Sequence, residues 1–398
     1  MRSQSGWHDL PINIYDAIQG HLDVGDRGTT ARFFTLNLWA AAVRVEDPTT
    51  GPNNRDVWSL LGFSLGRCAT QLQRLDLSLP VKLPDCYFLR ELEALQELHI
   101  KCHEISSSLF EAISHLTALT SLQVTVQAAR GKSRQEGRWM QLPPSLRRVL
   151  LDGFILLPPP WALGHLPGLT ELQLSNIGYD NMYGGGVWGL LDWTATQLRV
   201  LTLHDCGLEC LPPWLSTLSS LKELNLSNNP LEELEDEETQ HLSALRQLRR
   251  LDVAKVLWEE LPEPLLRGST LRHLSMHSSP ALLVPGTYLK GLTSLHLGWN
   301  QLAACVPELA AATALKQLHI RRAAWNSSVD DEDREVCHSV HGDVAATVLA
   351  TVAELPSLAT LVLDFEGIKP CSMAALEAYH RLRSQRPEVR VQRQLRVM

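Results

Sequence analysis

From Leu72 onward the chain repeats one spacing: a leucine, two variable residues, a leucine, one variable residue, a leucine. The stretch LKELNLSNNPLEEL, opening at Leu221, shows it clearly, and LRVLTLHDCGLECLPPWLSTLSS opens 23 residues earlier, at Leu198. Copies begin at Leu72, Leu95, Leu119, Leu146, Leu169, Leu198, Leu221, Leu248, Leu271, Leu292, Leu315 and Leu358, twelve in all and mostly 21 to 24 residues apart. Alternation with a period of two predicts a short strand whose leucines point inward and whose intervening residues point out. Return segments such as LPPWLSTLSS supply a second apolar layer. No copy buries its leucines without a neighbour, so the pattern predicts an α/β solenoid of about twelve units with a parallel inner sheet.

On these motifs, residues 60 to 398 resemble the leucine-rich repeat family. The resemblance implies an asparagine that hydrogen-bonds the backbone in the bend after each strand. That residue is present at Asn229 and Asn300, and Cys206 is a usual substitute, whereas Pro80, His103, Phe154, Ile177 and Val256 occupy the position elsewhere. Uneven turns are expected, with the most regular section between Leu198 and Asn229.

The first fifty residues lack this spacing. Leu10-Pro11 followed by Ile14, Ile18 and Leu22 has helical i, i+4, i+8 periodicity, and TARFFTLNLWAAAV continues with a second helical pattern through Phe33, Leu36 and Trp39. The segment EDPTTGPNNRD, rich in turn residues, separates this block from the repeats. The expected organisation is a helical element at 1–46, a linker at 47–57 and the repeats at 58–398, with insertions near 127–145, 178–195 and 326–343.

With Leu10, Pro11, Ile14, Ile18, Leu22, Asp26, Arg32 and Trp39 in place, the block resembles the F-box family. Asn13, Arg27 and Leu36 depart from that family's pattern. The resemblance implies that Leu10, Pro11, Ile14, Ile18 and Leu22 contact the adaptor of a cullin-type ubiquitin ligase, while the repeats hold a protein substrate. The alternative is an amphipathic cap on the solenoid, serving a scaffold without ligase linkage in a cytoskeletal or ciliary assembly.

Composition narrows the setting. A formal charge of −8 and a pI near 6.0 argue against a nucleic-acid footprint over the whole surface. No apolar h-region opens the chain and no stretch reaches the ~18 apolar residues that span a bilayer, so a cytoplasmic or nuclear protein is expected. The eight cysteines show no metal-type or disulfide-type spacing and read as reduced thiols. No cofactor is expected.

Two motifs imitate catalytic ones. Gly62-Phe63-Ser64-Leu65-Gly66 matches the nucleophile elbow GxSxG, but no hydrolase sheet surrounds it; Arg130-Gly131-Lys132-Ser133 ends like a phosphate loop, but Val126 stands where the first glycine belongs. No catalytic residue is expected. The insertions differ in character: the first is basic around Arg130, Lys132, Arg134 and Arg138, the second glycine-rich and aromatic, the third acidic. Solvated loops account for them, with partner docking as the functional alternative. Glu232 to Glu238 and the arginine-rich last twenty residues are further candidate docking patches, a capping strand being the alternative for the tail.

The third and fifth positions of each LxxLxL face the inner wall. Near its C-terminal end His273, His277, His296 and His319 gather with Trp299, Arg321, Arg322 and Trp325. His296 and His319 share a column on adjacent repeats. No carboxylate or thiolate is aimed at the histidines, so no metal is expected; tryptophan and arginine are typical anchors of protein interfaces. His273, His296, Trp299, His319, Arg321, Arg322 and Trp325 are therefore the candidate partner-binding residues, with an ordinary solvated wall as the alternative.

Overall fold

The computed structural model describes residues 34–37, 42–46, 72–78, 86–105, 108–127, 133–136, 142–157, 163, 165–177, 197–232, 234–267, 270–321, 342–363 and 373–393. Leu10, Pro11, Ile14, Ile18 and Leu22, the Gly62–Gly66 motif, Arg322, Trp325 and the second insertion lie outside them. The chain divides into two compact units, residues 1–184 with 192–195, and residues 185–191 with 196–398.

In the first unit β1 (Phe34–Asn37), β2 (Ala42–Glu46), β3 (Arg74–Ser78), β4 (Glu97–Cys102), β5 (Ser121–Val126), β7 (Arg148–Asp152) and β9 (Glu171–Ser175) follow one another in a sheet. Leu75, Leu98, Leu122, Val149 and Leu172 fall in one row of the register, as the repeat demands. These strands alternate half-exposed and buried positions, with the second and third leucines of each motif inside.

Two expectations for this unit need correction. The helical pattern assigned to Phe33, Leu36 and Trp39 gives way at 34–37 to strand β1, which pairs antiparallel with β2; β2 in turn pairs parallel with β3, Val43 opposite Leu75 and Val45 opposite Leu77. The sequence AVRVE carries β-branched residues at the spacing of a repeat strand, and neighbouring strand edges satisfy its backbone groups better than an isolated short helix does. The first insertion is also more than a loop. Its residues Ser133–Glu136 form β6, which pairs parallel with β8 (Phe154–Leu157) in a separate two-stranded sheet.

The second unit holds β10 (Val200–His204), β11 (Glu223–Asn225), β12 (Arg250–Asp252), β13 (His273–Ser275), β14 (Ser294–Gly298), β15 (Gln317–Arg321), β16 (Thr360–Leu363) and β17 (Arg390–Arg393), each parallel to the next. Leu201, Leu224, Leu251, Leu274, Leu295, Leu318, Leu361 and Val391 form one row. The arginine-rich tail thus supplies a capping strand, with Val389 buried beneath it. Among the return segments are helices α1 (Ser108–Ile113) in the first unit and α2 (Asp236–Leu242), α3 (Glu263–Leu266), α4 (Trp299–Ala304), α5 (Val306–Ala311), α6 (Gly342–Glu354) and α7 (Met373–Gln385) in the second. Part of the acidic run has a local structural task. Glu235 and Glu238 close a capping box on α2, and Glu238 accepts the backbone N–H of Leu211 at 2.6 Å. Arg386 closes the far end, its Nη1 donating to the carbonyls of Ala353 and Leu355 at 3.1 and 2.8 Å and its Nη2 to that of Leu358 at 3.3 Å.

After the strands the chain must reverse sharply, and one position absorbs the turn. Gly153, Asn176, Asp205, Asn228, Lys255 and Ser278, each seven residues after its repeat's opening leucine, have positive φ between 51° and 83°. Asparagine and aspartate tolerate this region. Gly153 is obligatory for a second reason: a Cβ there would stand 2.1 Å from the Val126 carbonyl oxygen.

The bend is then pinned by a buried amide. Asn229 Oδ1 accepts the N–H groups of Cys206 and Leu208 at 2.9 and 3.1 Å, and its Nδ2 donates to the carbonyls of Leu203 and Leu226 at 2.6 and 2.7 Å. In the repeat opening at Leu292, where Asn300 was expected to do this, Gln301 does it. Its Oε1 accepts the N–H of Gly298 at 2.8 Å, and its Nε2 donates to the carbonyls of Met276, Ser279 and Ala281 at 2.8, 3.0 and 2.8 Å. Here α4 begins directly at the strand's end, which moves the amide one residue along.

Candidate functional site

The open face of the sheet differs between the units. In the first, charges are answered locally: Arg74 meets Asp76 at 3.2 Å and Glu97 at 3.0 Å, His99 meets Asp76 at 2.9 Å, and Arg148 meets Glu171 at 2.7 Å. Exposed ladders of this kind contribute little stability each and leave few donors for a partner.

In the second unit the third-position column runs through Glu223, Arg250, His273, Ser294 and Gln317, and the fifth through Asn225, Asp252, Ser275, His296 and His319. Two residues further along lie His204, Ser227, Ala254, His277, Gly298 and Arg321. At its start this face is knitted together. Ser227 donates its hydroxyl to Asn225 Oδ1 at 2.6 Å, so His204 Nδ1, 2.8 Å from the same hydroxyl, carries the proton and donates. Asp252 accepts the N–H of Ala254 at 3.1 Å and the hydroxyl of Ser275, and burial raises its carboxyl above the ordinary range.

Toward β15 the pairing stops. The His296 and His319 rings stack at 4.0 Å with 11° between planes. Burial holds His296 down to about 3, with the charges of His319 and Arg321 adding to it, and holds His277 down to about 4, with Arg321 and Lys255 adding to it. His319 and His273 are lowered too, mainly by burial. These rings are neutral at pH 7, which leaves Arg321 as the charged centre of the patch. Its Nε is buried without a hydrogen-bond partner, and among the described residues no carboxylate stands within ion-pair distance.

Of the candidate residues, the fold brings His273, His296, His319 and Arg321 to this face, all half-buried. Trp299 is a correction: it is 1% exposed and starts α4 in the core, so it is no surface anchor. Sequence reasoning missed Asp252 and Gly298 and left His277 and His204 unranked. For Gly298, His277 and His204 the signal was the column two residues beyond the fifth position, which shares a face with the third and fifth positions; Asp252 stands in the fifth-position column itself.

The lowered histidines carry a stability consequence. Their folded values lie below the unfolded 6.5, so below that pH the unfolded chain takes up protons the folded chain refuses. Stability therefore falls as pH drops from about 6.5 toward about 4 for His277 and about 3 for His296, by about 1.4 kcal/mol per pH unit for each refused proton. Asp252, shifted the other way, offsets part of this. Urea midpoints of the full chain between pH 7 and pH 4 should decline, and the decline should flatten when His277 and His296 are both replaced by glutamine. An equally steep decline in that variant would assign the acid sensitivity to other groups.

Chemically the patch offers hydrogen-bond donors, flat neutral rings and one guanidinium. It lacks a nucleophile paired with a base. Burial raises the Cys102 thiol to about 12 and shifts Cys210 and Cys305 upward as well. Among the described residues no group of His, Cys, Asp and Glu is arranged to hold a metal ion, and no helix is long and apolar enough to cross a membrane.

Stacked parallel strands with rows of buried leucines define an α/β solenoid of the leucine-rich repeat kind. The family model for the leucine rich repeat matches residues 196–249. A transforming growth factor beta activator, LRRC33, of Danio rerio is 26% identical over 198 residues, covering 49% of this chain and 24% of that protein. The chain thus spans about a quarter of that relative's length. Among solved structures, an internalin from Listeria monocytogenes superposes with a TM-score of 0.47 at 15% identity over 71% of this chain and 83% of that one. A leucine-rich repeat protein of Leptospira interrogans gives 0.47 at 18% identity over 83% and 80%.

Proposed function

We propose that the chain is a non-catalytic receptor that recruits a protein target on the open face of its second unit. The observation that carries this reading is the change along that face, from side chains that satisfy one another to a rigid patch of neutral imidazoles around the unpaired Arg321. Strands fix these groups with little conformational freedom, so little ordering entropy opposes binding.

What the receptor serves is read from the leading block. Leu10, Pro11, Ile14, Ile18 and Leu22 support docking to the adaptor of a Skp-cullin-F-box ubiquitin ligase, which makes the target a ubiquitination substrate. The pairing of β1 with β2 and of β2 with the first repeat favours a second reading, a leucine-rich repeat scaffold whose leading block caps the sheet. The purified adaptor separates the two. Retention of adaptor by the full chain, lost when Leu10 and Pro11 are both replaced by alanine, supports the ligase; no retention, or retention indifferent to that change, sinks it and leaves the scaffold.

A further inference from the structure

The second unit's face carries an unmet charge, and its neighbourhood says what is missing. Arg321 sits opposite Gly298 in the register of β14 and β15, and His277 lies two residues beyond Ser275, which pairs with His296. His277 and Arg321 are therefore separated by one strand that carries no side chain at that level. With strands about 4.8 Å apart, the notch is roughly 9–10 Å across at the backbone, with the buried Gly298 backbone as its floor. The stacked rings of His296 and His319 form its side.

The electrostatics around the notch lean positive. Lys255 and Arg321 both bear on His277, and Arg250 and Arg321 both bear on His296. Asp252 is the carboxylate that feels the Arg321 charge, but it forms no ion pair with it and accepts from the Ala254 N–H and the Ser275 hydroxyl, while Glu223 faces Arg250 at 3.7 Å. The buried Arg321 Nε has no acceptor. A guanidinium partly shielded from water by neutral rings attracts an anion more strongly than one in bulk solvent, because fewer water dipoles screen it. It also matches the planar geometry of carboxylate and phosphoryl oxygens better than an ammonium does.

We infer that the notch between His277 and Arg321, floored by Gly298, is an anion subsite that reads an acidic or phosphorylated side chain of the recruited protein. The inference rests on the recruitment reading above and gives it a recognition chemistry: Arg321 holds the anion, and His277, His296 and His319 frame it as neutral hydrogen-bonding and stacking groups.

The test uses the full chain with carbon-13-labelled histidine rings, titrated at constant ionic strength with pentapeptides Gly-Gly-Xaa-Gly-Gly. Xaa is phosphoserine, glutamate, serine or glutamine. Phosphoserine, glutamate or both should shift the His277, His296 and His319 resonances saturably, and the arm that saturates at lower concentration identifies the natural anion. Arg321→Gln should weaken that binding about tenfold, as expected for one charge-assisted hydrogen-bonded contact, while Lys290→Gln on an outer turn changes nothing. Equal shifts from neutral peptides, no saturation with either anionic peptide, or indifference to Arg321→Gln overturns the subsite.

Failure of the subsite and failure of the recruitment reading are distinguishable. If His319→Ala abolishes capture of partner protein while no peptide shifts the rings, recruitment stands and the anion subsite falls. If an anionic peptide binds through Arg321 while capture ignores substitutions on this face, the subsite stands and recruitment falls.

Discussion

Trp299→Ala should lower the stability of the second unit by about 3–5 kcal/mol, the cost of emptying a fully buried aromatic site that its surroundings only partly refill. Trp299 is 1% exposed, among the largest fully buried side chains, and occupies the first helical position of α4 directly after β14. Gly298 has extended backbone at the helix start and Gln301 bonds back to its N–H. The indole therefore turns under the strand. Removing it withdraws apolar area from the layer between sheet and return helix and loosens the segment that positions Gln301. In a repeat array each unit leans on its neighbours, so the loss should spread to the strands on either side. Urea unfolding and amide exchange across β13 to β15 measure it. Arg321→Gln, by contrast, should change the midpoint by well under half as much and act on capture. If Trp299→Ala leaves the unfolding midpoint in place, the tryptophan is not a core residue and its surface role returns.

That contrast shows how far the sequence carries. The rows of Leu201, Leu224, Leu251, Leu274 and Leu295 were readable because the motif repeats with every phase intact, and a one-residue slip would turn the leucines out of the core. The stacking of His296 on His319 followed from the same register. What could not be read was the direction of the chain beyond a strand's last leucine. In six repeats the residue seven after the opening leucine takes positive φ, but at Trp299 the backbone enters a helix instead. The sequence there, GWNQL, resembles an ordinary bend with an exposed aromatic residue until Gln301 is seen to carry the bonds. Residues 34–46 posed the opposite difficulty. Phe33, Leu36 and Trp39 suit a helix by spacing, yet Val43 and Val45 align with Leu75 and Leu77, and strand pairing with a neighbour outweighs local periodicity.

Asn229→Leu should cost about 3–5 kcal/mol although it alters volume little, because the loss is of partners rather than of packing. Asn229 is 2% exposed and holds two N–H groups and two carbonyls at 3.1 Å or less. Each buried polar group left without a partner costs about 1–3 kcal/mol, and water reaches this site poorly. Three of these four bonds cross to the repeat before, so the substitution uncouples β11 from β10 rather than softening one turn. Asn229→Asp should not rescue the site: one carboxylate oxygen still accepts from Cys206 and Leu208, but the other faces the carbonyl oxygens of Leu203 and Leu226 and its charge is buried. Gln301→Leu should cause a comparable loss three strands away, where no hydrogen-bond partner is shared with Asn229, so the two costs should add. Chemical denaturation of the two single variants and the double variant tests this. A sum that fails by more than about 1 kcal/mol would mean that the bends communicate through the sheet, and equal midpoints for Asn229→Leu and the unaltered chain would show that the buried amide does not hold the repeats together.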